Sequence, residues 1–321
     1  MGWDFNLSAA MGAMVRTAPF IIVRMIVYFG IALGYILATG VGGALGYGFT
    51  SFGDGEGVGA FWGAMFGFVG ASGVLYWARE YILYIVKAAH IAVLVHHHDG
   101  KDLPEGKGQV DYAQAVVRER FAEASVLFGI DQLIKGVLSV IQGTLNTVAN
   151  LLPIPGLDNL AKIIGAVIRV SLTFVDEVIL AYNIRTNSQN AWASSADALV
   201  LYAQNYGKLV KNAVWLSLFM WLLTFLIFLI LLAPTFWIMS AFPGDIGFWA
   251  FIIAFILAWS VKAALVEPFA VYALMQVFFS AIEGQDPDEV WRSRLEEASE
   301  KFREIKQKAA EAIMPSQQSP T

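Results

Sequence analysis

The run AVWLSLFMWLLTFLIFLILLAPTFWIM, from Ala213 to Met239, holds no charged residue. A helix needs about 20 such residues to cross roughly 30 Å of hydrocarbon at about 1.5 Å per residue. Three further stretches share this character. They are Thr17 to about Gly48, broken only by Arg24; a run from about Val58 through Tyr76 and Trp77; and about Gly247 to Ile282. With 57% hydrophobic and 15% charged residues over 321 positions, the chain is too apolar for the surface of a soluble domain. These features predict an all-α, polytopic integral membrane bundle of four to six transmembrane helices, with amphipathic helices on the cytoplasmic side.

A net charge of −5 without a basic cluster argues against nucleic acid as a partner. The absence of cysteine excludes disulfides, thiol catalysis and Cys-ligated metal. The first twenty residues carry no basic leader and no small-residue cleavage site ahead of a short apolar core, so the first span is expected to double as the insertion signal.

Small residues recur every fourth position in the first two spans. Gly30, Gly34, Ala38, Gly42 and Gly46 lie along one, and Gly55, Gly59, Gly63, Gly67 and Ala71 along the other. Such stripes let helix backbones approach closely, either within one chain or between subunits. The segments are accordingly read as a glycine-striped hairpin (1–95), a cytoplasmic connector (96–124), a central helical hairpin with a polar connector (125–211), a C-terminal hairpin (212–283), and a cytoplasmic amphipathic helix with a tail (284–321).

The central hairpin is expected to consist of one helix from Asp111 to Asn150, a break at LLPIPGLDN, and a second helix from Leu157 to about Asn183. It spans, re-enters or lies at the interface. Lys and Arg are missing from the connections near 49–57, 151–157 and 239–246 and frequent in 96–124, 185–211 and the tail, which places both termini in the cytoplasm of a plasma-membrane protein. The tail offers Asp286 or Asp288 as an N-cap. Its Trp291, Leu295, Ala298, Phe302, Ile305, Ala309 and Ala312 form one apolar seam on a single helix. That seam would dock on the chain itself, contact another copy or lie on the membrane.

Charges at membrane depth are the functional lead. Asp131, Lys135, Arg169, Asp176, Glu177, Lys262 and Glu267 each cost about 2.5–3.5 kcal/mol at mid-bilayer unless they face one another or water. They are candidates for a polar path. If they are structural instead, one of Lys135, Arg169 or Lys262 should pair with Asp176 and with Glu267. Lys262 and Glu267 are five apart, about 140° around an α-helix, so each is expected to have a different partner. Pro268 predicts a kink, with a freed carbonyl near Ala264.

His96 and His98, beside Asp99, are weak metal candidates, because adjacent helix positions diverge by about 100°. No phosphate loop, zinc-protease motif or nucleophile elbow occurs, so no enzyme activity and no cofactor is expected.

The segments RERFAEASVLFGIDQLI and YNIRTNSQNAWASSADALVLYAQNYGKLVKNAV, with Asn190, Ser195, Ala196, Asp197, Ala198, Leu201 and Asn205, are followed by a final span ending AVYALMQVFFSAIEG. In this order they resemble, over roughly 110–285, the membrane region of the choline transporter-like family. The family's cysteine-rich turn and large extracellular domain have no counterpart here. The resemblance implies a permease for a small organic cation such as choline. The alternative is a non-catalytic membrane subunit or scaffold, partnered by the lipid bilayer and by further copies or other subunits. A path requires open carboxylates at Glu267 and Asp176; a scaffold requires them closed in pairs.

Overall fold

The computed structural model describes residues 2–50, 56–101, 108–120, 129–140, 173–241 and 246–313, and every regular element among them is a helix. In chain order these are α1 (Leu7–Arg16), α2 (Ala18–Thr50), α3 (Glu56–His98), α4 (Gln109–Arg120), a helical segment at 129–140, α5 (Val175–Thr186), α6 (Ala191–Gln204) and α7 (Tyr206–Met239). Then follow α8 (Ile246–Val261), a π turn (Lys262–Val266), α9 (Glu267–Ala281), α10 (Glu289–Ala298) and α11 (Glu300–Glu311).

Among the described residues, three stretches are long and apolar enough to cross a membrane: Ala18–Thr50, Tyr206–Met239 and Ala250–Ala281. This is fewer than the four to six expected. In α3 the described apolar stretch is shorter, Val58–Gly73. Of the second helix of the central hairpin, the described part begins at Thr173. Thr173 and Phe174 form a turn, with Phe174 at φ −112° and ψ 8°, and α5 starts only at Val175. Asp176 and Glu177 then fall in its first turn, where the helix dipole favours carboxylates. Its 12 residues reach about 18 Å, short of the bilayer core. The break at LLPIPGLDN, Lys162, Arg169 and the rest of this hairpin before Thr173, apart from 129–140, lie outside the described residues.

The chain divides into two compact units. Unit one is Met1–Ala18, Lys87–Trp221 and Pro268–Thr321; unit two is Pro19–Val86 and Leu222–Glu267.

In unit two, α2 and α3 meet through glycine. A Cβ on Gly42 would strike the carbonyl of Gly63, one on Gly46 the carbonyl of Gly59, and one on Gly67 the carbonyl of Ala38. Backbone-to-backbone approach of this kind is closed to any larger residue. Gly30 faces open space instead. Phe228 of α7 packs edge-on against Phe251 and Phe255 of α8. Ile230, Trp237 and Phe255 remain exposed, as expected for surfaces that meet lipid rather than water.

In unit one, α5 and α6 form a hairpin. Asn187 takes the left-handed conformation at φ 57°, and Asn190 caps α6 by accepting from the amides of Trp192 and Ala193. The Asn190 side-chain amide also donates to the carbonyl of Ala309 at 2.7 Å, holding α11 against the start of α6. The tail is two helices, not one. Ser299, at φ −135° and ψ 116°, breaks the seam, and its hydroxyl accepts from the amide of Phe302. Asp288 is the N-cap of α10. Phe302 and Ile305 are fully buried, so the seam is docked within unit one. At the other terminus, Trp3 packs on Trp215 and Phe219 while Asp4 pairs with Lys211 at 2.7 Å.

Candidate functional site

Unit two holds a charged cluster where α8 passes into α9. Pro268 lacks an amide hydrogen, so the ladder there must rearrange. It does so as a π turn, in which the amide of Glu267 donates to the carbonyl of Lys262. Bonds of the i→i+5 type bring residues five apart onto one side of the helix. The Lys262 ammonium consequently meets the Glu267 carboxylate at 2.9 Å, although an α-helix would hold them about 140° apart. The expectation that these two residues face different ways is corrected: the backbone brings them onto each other.

Arg24 of α2 completes the cluster. Its guanidinium donates to the carbonyl of Ala263 at 2.8 Å, one residue before the predicted free carbonyl at Ala264, and lies 3.9 Å from Glu267. Its side chain is 4% exposed, against 16% for Glu267. The Lys262 ammonium also sits over the Trp259 ring, 4.6 Å from its centroid. Arg24 was the one charge interrupting the first span, and that isolation was the only signal available for it.

Unit one holds the other path candidates. Lys135 reaches Asp131, four positions before it on the same helix, at 2.7 Å, and Asp176 at 3.7 Å. Glu177 pairs with Lys87 of α3 at 2.9 Å. Burial, reinforced by the neighbouring Glu177 carboxylate, pushes Asp176 well above the usual carboxylate range. Burial also acts upward on Glu177, but the Lys87 ammonium and a hydrogen bond with Asp176 outweigh it and hold Glu177 low. Lys87 lies inside a largely apolar run with no spacing to link it to Glu177, ninety positions away. Of the seven candidates, six are described and all six lie in ion pairs: Lys262 and Glu267 together in unit two, the rest in unit one.

The histidines point to different neighbours. His96 hydrogen-bonds the Tyr112 hydroxyl at 3.0 Å, whereas His98 packs on the rings of Tyr272 and Phe279. No group of three or more His, Cys, Asp or Glu side chains converges among the described residues.

A cleft of about 600 Å³ opens elsewhere in unit one. His98, Tyr182, Arg185, Thr186, Phe279 and Glu283 are among its lining residues, and no path candidate is. The Arg185 Nε bonds Asp99 at 2.9 Å, and its guanidinium lies over Phe279 at 4.3 Å. Comparison with family models, with curated proteins and with solved structures finds no match for this chain.

Proposed function

We propose that this chain is a four-crossing protein of the plasma membrane, with both termini cytoplasmic, that acts as a non-catalytic membrane subunit or scaffold rather than as a permease. The crossings are α2, the apolar part of α3, α7, and the stretch Ala250–Ala281. The observation that carries the reading is the Arg24–Lys262–Glu267 cluster, where two cations occupy Glu267, one of the two carboxylates that a cation path would need open. The closed pairs Lys135–Asp176 and Lys87–Glu177 support it in the same way. Removing one member of a buried pair strands the other charge and costs about 3–5 kcal/mol.

The test combines stability with flux. Glu267→Gln is expected to lower the melting temperature of the protein in detergent, and wild-type proteoliposomes are expected to take up choline no faster than protein-free liposomes. Uptake by the wild type that Glu267→Gln abolishes at unchanged melting temperature would establish a permease.

A further inference from the structure

We propose that the cleft in unit one binds a small alkylamine in its protonated form. Three helices end at this cleft. His98 is the last residue of α3, Arg185 and Thr186 close α5, and Ser280 lies in the last turn of α9. Carboxyl ends of helices carry partial negative charge, so their convergence favours a cation. Glu283, just past α9, adds a full negative charge and meets no Lys or Arg among the described residues. Burial raises the pKa of Tyr182 in the cleft wall, and the Asp197 and Asp286 carboxylates add to it.

The one lining cation is already committed. Arg185 is held by Asp99, which Lys101 also meets at 3.3 Å, and by the Phe279 ring, so Glu283 is the lining charge that no Lys or Arg meets among the described residues. Burial lowers the pKa of His98, and Arg185 reinforces the effect, so this histidine adds no second cation at neutral pH. An anion is therefore disfavoured. A quaternary ammonium is disfavoured for a different reason: it offers no N–H donor to Glu283 or to the Ser280 and Thr186 hydroxyls, and Arg185 covers a face of Phe279 that it would otherwise use. A primary ammonium supplies three donors and suits these acceptors.

The test is calorimetric titration of the full chain in detergent with putrescine. Saturable binding is expected, weakened on the order of tenfold by Glu283→Gln, which removes one charge-assisted hydrogen bond. Glu283 is exposed, so this variant should fold as the wild type does. Glu311→Gln, an exposed change at the end of α11, should bind as the wild type. Tetramethylammonium and acetate should show no saturable heat. The proposal is overturned if wild type shows no saturable heat with putrescine, if Glu283→Gln binds it unchanged, or if tetramethylammonium binds as tightly. Because this site is independent of the Arg24 cluster, the outcome leaves the scaffold reading untouched.

Discussion

Lys262 and Glu267 show what residue-level reasoning recovers and where it stops. The cost of their charges, and the need for partners, follows from the sequence and the properties of hydrocarbon. Their pairing with each other does not, because it depends on a π turn that only the local geometry reveals. Lys135 with Asp131 was legible, since i, i+4 spacing on a helix brings such groups together. Lys87 with Glu177 and Arg24 with Ala263 were not, since each joins helices far apart in sequence. Ser299 belongs to the same class: it reads as one polar residue in a long amphipathic helix, yet it is 1% exposed and caps α11. Two predictions follow at this scale. Lys87→Met should destabilise by about 3–5 kcal/mol in denaturant titration, because it leaves the Glu177 carboxylate buried without its cation. Ser299→Ala should cost about 1 kcal/mol through the lost cap, with Ser299→Thr or Ser299→Asp retaining most of it.

Among the elements, α2 and α3 were legible in outline from their four-residue repeat, and the structure adds which positions meet. Gly42, Gly46, Gly59, Gly63 and Gly67 lie in backbone contact, whereas Gly30 does not, a distinction that periodicity cannot make. A large residue should therefore act very differently along one stripe. Gly63→Leu should force α2 and α3 apart and lower the melting temperature, while Gly30→Leu should be tolerated. A pair of cysteines at Gly43 and Ala64, where a Cβ on Gly43 would lie 3.4 Å from that of Ala64, should crosslink in the wild-type background and lose that ability when Gly63→Leu is added. Equal crosslinking in both backgrounds would show the close approach to be dispensable. The start of α5 lay beyond sequence reasoning, because apolar residues continue through Thr173 and Phe174 and nothing in their pattern marks the turn.

The whole molecule makes two demands on experiment. Its connections near 54 and 245 lack Lys and Arg, and that near 100 is rich in them, so single cysteines at Asp54 and Asp245 should label from outside intact cells and one at Gly100 should not. Acidity tests unit one as a body. Burial lowers the pKa of His97, with the Arg16 guanidinium adding to it, and burial lowers that of His98, with Arg185 adding to it. A folded pKa below the ordinary value of 6.5 means that the unfolded chain binds these protons more readily. Both histidines thus contribute stability that is present above about pH 6.5 and lost as pH falls through the folded values. Asp176 acts with the opposite sign: its raised pKa makes its ionised form a burden that acidification relieves. The lowered pKa of Glu177 matters only below its ordinary 4.5. Melting curves at about pH 7.5 and 5.5 should therefore show a loss in the wild type, a smaller loss when His97 and His98 are both replaced by Gln, and a larger one in Asp176→Asn. Identical pH dependence in the wild type and the double Gln variant would mean that the histidines titrate alike in folded and unfolded chains, and that the end of α3 is open to water.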